Sequence, residues 1–279
     1  MRPVRLLVVL ALLVMPWSVP ISAAQESAPP RVTLTPAQME EFLLHAPIVR
    51  TRPAGSGVTN SLRVTLSDGT LTHDAQIQSV DQSKSIFRPD KGPPEFNFTD
   101  SYRFNIVGYR LALLLGLDNV PMSVERRHNG APAAFTWWID DVMMDEKARI
   151  AQNLRGPDGE RTAMQVHIMR VFDELIQNRD RNMGNLLWTT DWKMWLIDHT
   201  RAFRLGDDLL KPAGLERIER SLFQNIRGLT RETLAKAMGR TMSGPEISAL
   251  LKRRDRIVKL FEDRIAERGE ARVVYTLPR

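Results

Sequence analysis

The sequence predicts a two-lobed α+β chain, with a sheet-rich N-terminal portion ahead of a helix-rich C-terminal portion. Three observations carry that reading. Asp68-Gly69 and Asn129-Gly130 each sit between β-rich runs, the signature of a tight hairpin, and both fall before residue 142. The longest amphipathic patterns, Ala163–Gln177 and roughly 245–268, fall after residue 160. Between them Gly156-Pro157-Asp158-Gly159 interrupts the chain, placing the boundary near 142–160.

The elements follow in order. Thr35 caps a short helix that has Pro36 at its first position and Met39, Phe42 and Leu43 on one side. Ala54-Gly55-Ser56-Gly57 then feeds a hairpin of Ser61–Leu66 and Leu71–Val80. Residues 81–100 are polar and Pro-bearing and read as a long loop. Tyr102–Leu117 is a helix ending near Gly116. Val120–Arg127 and Ala133–Asp140 flank the Asn-Gly turn, and Met143–Asn153 has a helical pattern. After the amphipathic helix come two short strands, Leu186–Trp188 and Met194–Ile197. Helices near 215–227, 230–238 and 245–268 and a last strand at Val273–Tyr275 complete the chain. The expected organisation is a signal peptide over 1–24, a lead-in and helix over 25–47, an N-lobe over 48–142 and a C-lobe over 143–279.

Composition excludes several chemistries. The chain has 279 residues and no cysteine, so disulfide scaffolds, thiolate metal sites and thiol nucleophiles are out. Arg2 and Arg5, the apolar run Leu6–Met15 and the small residues Ser22-Ala23-Ala24 have the order of a secretory signal cleaved after Ala24. Export to a periplasm or to the extracellular space is the expectation, with no membrane span left after cleavage. Removing residues 1–24 leaves 37 basic against 33 acidic side chains, or +4. Those charges are interspersed and no aromatic-interleaved basic patch stands out, so no nucleic-acid partner is expected.

The chemistry-bearing stretch is Asp173–Phe203. A helix delivers a polar loop with Asp180, Asn182, Gly184 and Asn185; a strand pair follows, and Asp198 stands at its end. That order aims carboxylate and carboxamide oxygens at one point, the donor type that hard divalent cations take. Trp137, Trp138, Trp188, Trp192 and Trp195 read as packing residues on strands. His45, His73, His128 and His167 have no metal-ligand spacing.

Asp180-Arg181-Asn182-Met183-Gly184-Asn185 followed by Leu196-Ile197-Asp198 resembles the catalytic loop and metal-binding strand of atypical kinases. The relatives in view are the phosphatidylinositol 3- and 4-kinases, the HipA-type kinases and the Golgi secretory-pathway kinases. The resemblance implies a two-lobed kinase-like fold and a metal-dependent phosphotransferase moving a nucleotide phosphate to a hydroxyl acceptor. It implies Asp180 as catalytic base, Asn185 and Asp198 as metal ligands, and ATP with Mg²⁺ or Mn²⁺ as cofactors. Gly55, Gly57 and Thr59 would cover the phosphates. Gln78 falls where such kinases carry a phosphate-binding lysine, and Asn105 where they carry its glutamate partner. Lys84 or Arg88 could replace the missing cation in space. Two alternatives stay open: a pseudokinase that binds without catalysis, and a metal-dependent hydrolase using Asp180, Asp198 and His199.

Overall fold

The computed structural model describes residues 34–55, 61–89 and 92–277. The expected signal sequence, Gly57 and Thr59 lie outside the described residues. Thr35 caps α1 (Pro36–His45) through a capping box with Gln38. Helix α1 sets Phe42 and Leu43 against a sheet built from β1 (Ile48–Pro53), β2 (Leu62–Ser67) and β3 (Thr72–Gln78) together with two later strands.

Two strands replace the expected loop at 81–100. β4 (Asp81–Phe87) and β5 (Glu95–Ser101) pair antiparallel as a separate hairpin, with Phe87 and Phe98 stacked at 4.2 Å. Its polar residues mask a strand pattern because most β4 side chains face solvent and only one side of β5 is buried. The strand over Ile48–Pro53 also went unmarked, being short, exposed and basic.

Helix α2 (Arg103–Leu114) follows directly. Then β6 (Ser123–His128) and β7 (Ala131–Trp137) close the main sheet in the order β1-β2-β3-β7-β6, antiparallel throughout. The chain crosses through Trp138–Asp141 to β8 (Val142–Asp145), which occupies the start of what reads as a helix. Only α3 (Glu146–Ala151) is helical there, capped by Asp145.

The helical portion is built on α4 (Gly159–Ile176), whose buried face includes Ile168, Val171, Phe172 and Leu175. β9 (Leu186–Thr189) and β10 (Met194–Leu196) join β8 in a small sheet. β11 (Ile218–Glu219), α5 (Arg220–Gly228), α6 (Arg231–Met238), α7 (Gly244–Arg268), α8 (Glu270–Val273) and β12 (Val274–Tyr275) complete the chain. Their apolar faces share one core with α2 and α4. Residues from Thr35 onward pack as one unit. The architecture is thus mixed α+β, antiparallel strands first and helices last, as the sequence predicts.

One buried cation pins the helical portion. Arg253 of α7 has no exposed surface and donates to the carbonyls of Leu175 (2.8 Å), Arg204 (2.9 Å) and Gly206. Burial brings its guanidinium pKa down to about 10, so it stays charged at neutral pH. These three bonds hold the end of α4 against the segment that follows the site. Among the described residues no helix is long and apolar enough to cross a membrane.

Candidate active site

Helix α4 ends at Gln177, whose backbone turns left-handed at φ 50° and aims the chain outward. The loop that follows is shaped by its own amides. Asn178 Oδ1 accepts from the Asp180 N–H at 3.1 Å, and Asn182 Oδ1 accepts from the Gly184 N–H at 2.9 Å. Asn185 Nδ2 donates to the Asp180 carbonyl at 3.4 Å, leaving its Oδ1 as the oxygen it can offer to a cation.

Arg181 locks this loop to the strand beside it. Its guanidinium bonds both oxygens of Asp173 (2.9 and 3.0 Å), the Asn185 carbonyl (2.9 Å) and the Ile197 carbonyl (2.7 Å). It also reaches His199 Nε2 at 3.2 Å. One planar fork therefore sets the spacing between the loop and Asp198.

Asp198 itself is left-handed, φ 55°, a backbone state that Asp tolerates better than most residues. Its Oδ1 accepts from the Thr200 hydroxyl at 3.0 Å. Asp180, Asn185 and Asp198 all line one cavity of about 500 Å³ between the main sheet and the helical portion. Gln76 reaches it from β3, and Ala54 and Ser61 from just beside β1 and β2; Trp138, Ile139 and Val142 come from the crossing segment and β8. The two tryptophans expected only to pack, Trp137 and Trp138, therefore wall the cavity as well.

Gln78, Asn105 and Gly55, also named from the sequence, do not line this cavity. Asn105 Nδ2 donates to Gln78 Oε1 at 2.7 Å, and Asn105 Oδ1 accepts from the His199 N–H at 2.8 Å. The two amides thus bond each other, and the pair is anchored to the residue after Asp198. Gln76, two positions before Gln78 on the same strand face, is the one lining the cavity. Gly55, at φ 82°, follows the cavity-lining Ala54. A Cβ there would meet no heavy atom within 4 Å, so the backbone turn and not a close approach calls for glycine.

The cation expected from Lys84 or Arg88 comes from elsewhere. Neither residue lines the cavity, and Lys84 Nζ lies 5.3 Å from the Phe87 ring centroid on the hairpin. Arg201 lines it instead, 3.6 Å from Asp180 and bonded to Glu95 of β5 at 2.9 Å. Burial raises the Asp180 carboxyl above the usual range; Arg201 opposes this, while Asp198, Asp100 and Glu95 reinforce it.

Sequence reasoning missed Asp100 because it lies in the stretch read as loop. It stands near the end of β5, is nine-tenths buried and lines the same cavity. Burial raises its pKa too, opposed by the nearby Thr200 hydroxyl and by Arg201 and Arg204, with Asp198 adding to the rise. Among the described residues no three His, Asp or Glu side chains converge as a metal cluster.

His199 is placed for structure. It is 2% exposed, accepts from Arg181 and packs edge-on against Phe172, and it does not line the cavity. The ring does not join Asp180 and Asp198 there, as the hydrolase reading requires. Burial, aided by the Arg181 charge, holds its pKa well below the ordinary value, so the folded ring stays neutral while the unfolded one protonates near pH 6.5. Because the unfolded state then binds the extra proton, stability is expected to fall as pH drops below about 6.5. The slope approaches 1.4 kcal/mol per pH unit for this one group. Urea unfolding between pH 8 and 5 measures it; a flat profile would contradict the neutral assignment.

A smaller test addresses the amide pair. Asn105→Ala removes the donor to Gln78 Oε1 and leaves the His199 N–H without its acceptor, and is expected to cost about 1–3 kcal/mol for that stranded N–H. Chemical denaturation reads this directly, and an unchanged midpoint would show that water or a rearranged neighbour replaces the amide.

No protein-family model matches the sequence, and no curated protein matches it significantly. Solved structures do. The structure of hydra Fam20 with sugar superposes with a TM-score of 0.67 at 13% identity, covering 86% of this chain and 92% of that one. The crystal structure of the Golgi casein kinase gives 0.61 at 14% identity, covering 86% of this chain and 79% of that one. At such identities the likeness concerns the backbone, and it extends over most of both partners. The chain therefore has a kinase-like α+β fold, antiparallel sheet first and helices last.

Proposed function

We propose that the cavity binds a nucleoside triphosphate with Mg²⁺ or Mn²⁺ and that the protein transfers the terminal phosphate to a hydroxyl acceptor. One observation carries the reading: Asp180, Asn185 and Asp198, from a loop and a strand end, converge on one cavity of a kinase-like fold. The lining also includes Trp138, Ile139, Val142 and Leu187, which offer apolar surface for a base.

The residues present suit a divalent metal. Asn185 and Asp198 supply the oxygen donors such ions prefer, and when bound the metal would neutralise charge on the phosphates. This chain's balance makes that contribution large. Asp100, Asp145, Asp180 and Asp198 line the cavity, and Arg201 is the cation lining it among the described residues. A triphosphate entering such a site without metal meets net repulsion.

Asp180 is the group to accept or orient the proton of the attacking hydroxyl. Arg201 holds its carboxylate toward the β4–β5 hairpin, and the Asn185 and Asn182 amides brace the loop carrying it. The acceptor is a sugar or a protein hydroxyl; because the hydra Fam20 structure carries a sugar, a glycan is the first class to try. Residues 1–24 support an exported protein that meets its acceptor outside the cytoplasm.

The Gln78–Asn105 amide pair favours a second reading, a module that binds nucleotide without transferring phosphate. Labelled ATP with Mn²⁺ or Mg²⁺, offered to a panel of glycans and serine peptides, separates the two. Transfer of label that Asp180→Asn abolishes supports the kinase. Nucleotide binding without transfer to any acceptor supports the binding module.

A further inference from the structure

We propose that Asp100, on the β4–β5 hairpin, is an additional oxygen ligand of the divalent-cation site, acting with Asp198 and Asn185. This deepens the phosphotransferase reading and rests on it for the presence of a metal.

The argument starts from one hydrogen atom. The Thr200 hydroxyl donates to Asp198 Oδ1 at 3.0 Å, and Asp100 lies close to both. A hydroxyl has a single proton to give, so it serves one carboxylate at a time. Asp100 Oδ1 is buried and has no hydrogen-bond partner, although the residue is only 9% exposed and lines the cavity. A buried carboxylate oxygen without a donor is costly and needs a counter-charge.

The neighbouring guanidinium groups are committed elsewhere. Arg201 and Arg204 each bond a different oxygen of Glu95 at 2.9 Å, and Arg201 also faces Asp180. Arg181 is bound to Asp173. The groups facing Asp100 are thus Asp198 and Asp180 on one side and two arginines already paired to Glu95 on the other.

The placement is also fixed by the backbone. The Ser101 N–H donates to the Thr200 carbonyl at 2.9 Å, and the Ser101 hydroxyl donates to Asp81 Oδ1 at 2.7 Å. The hairpin base is therefore tied to the segment just past Asp198, and the two carboxylates cannot drift apart without breaking a backbone bond. Two carboxylates and one carboxamide opening on a single cavity match the donor set of a hard divalent cation, whose remaining positions water or phosphate oxygens complete. Asn105 is no candidate for this role, because both ends of its amide are already used.

The test is a titration of the full chain with Mn²⁺ alone, free ion being read by electron paramagnetic resonance. Asp100→Asn is expected to weaken Mn²⁺ binding at least about tenfold, with a metal-free melting temperature equal to or above that of the wild type. Asp100→Glu keeps the carboxylate and is expected to bind more tightly than Asp100→Asn, which keeps the comparison valid even if either variant loses some stability. Equal affinity of Asp100→Asn and wild type overturns the proposal; so does equal affinity of the Asn and Glu variants. If Asp198→Asn loses Mn²⁺ while Asp100→Asn does not, Asp100 is excluded and the phosphotransferase reading stands. If the wild type binds no Mn²⁺ even with ATP, both fall together.

Discussion

Asparagine in place of Asp180 is expected to slow phosphate transfer by roughly 10²–10⁴-fold, with nucleotide and metal affinity nearly unchanged. The size follows from the loss of proton acceptance in the transition state, and the unchanged affinity from isosteric replacement of a residue that does not anchor the nucleotide. Burial leaves the wild-type carboxyl above its ordinary pKa, opposed by Arg201 at 3.6 Å. The base acts only when ionised, so transfer should rise with pH through that raised value, and the asparagine variant should lose this limb. Steady-state rates between pH 4 and 8 check both points. A variant that loses nucleotide binding as steeply as turnover would show that Asp180 holds the donor.

The second large effect concerns the fold of the site. Arg181→Met leaves the Asp173 carboxylate buried without its cation and takes one donor from each of the Asn185 and Ile197 carbonyls. Breaking a buried pair from one side costs about 3–5 kcal/mol, and that is the destabilisation expected. Replacing both partners, Arg181→Met with Asp173→Leu, removes the stranded charge and should recover much of the stability. Activity should not return with it, because the fork that spaces Asp180 from Asp198 is gone. Denaturation midpoints and turnover, measured on the single and double variants, separate these outcomes. Recovery of activity in the double variant would contradict the positioning role of Arg181. A lysine there is no substitute, since it cannot form the planar fork.

Much of this was legible in the chain. The hairpin at Asp68-Gly69, the Asn129-Gly130 turn and the long helix after Ser243 follow from local chemistry, whose signals are short-range and strong. The loop residues Asp180 and Asn185 and the strand-end Asp198 stand close in sequence, so their convergence could be anticipated. The β4–β5 hairpin could not. Its strands are mostly solvent-facing, so burial imposes no alternation on Asp81–Phe87, and Phe96 is left 70% exposed. With the hairpin went Asp100 and Glu95, both far from the motif in sequence yet placed beside Asp198 and Arg201 by long-range pairing. Arg201 stands three residues past Asp198, where the sequence allows a phosphate clamp or an ordinary ion pair equally. Its role depends on Glu95, which lies 106 residues away.

The amide pair is instructive in the other direction. Gln78 and Asn105 were aligned to each other through the resemblance, and they are bonded in the structure at 2.7 Å. An uncharged pair keeps the sheet joined to α2 but brings no cation toward the cavity, which shifts the burden of phosphate binding onto metal and Arg201.

The measurement that bears most directly on the central claim is thermal unfolding of the purified protein with ATP, with and without Mn²⁺, for wild type and Asp198→Ala. At a hundred times its dissociation constant a ligand adds about 2.7 kcal/mol, which for a chain of this size raises the midpoint by roughly 5 °C or more. The cavity's excess of acid over base predicts that rise with ATP and Mn²⁺ together, little with ATP alone, and none in Asp198→Ala. A rise with ATP that needs no metal, or one that survives in Asp198→Ala, would contradict the account.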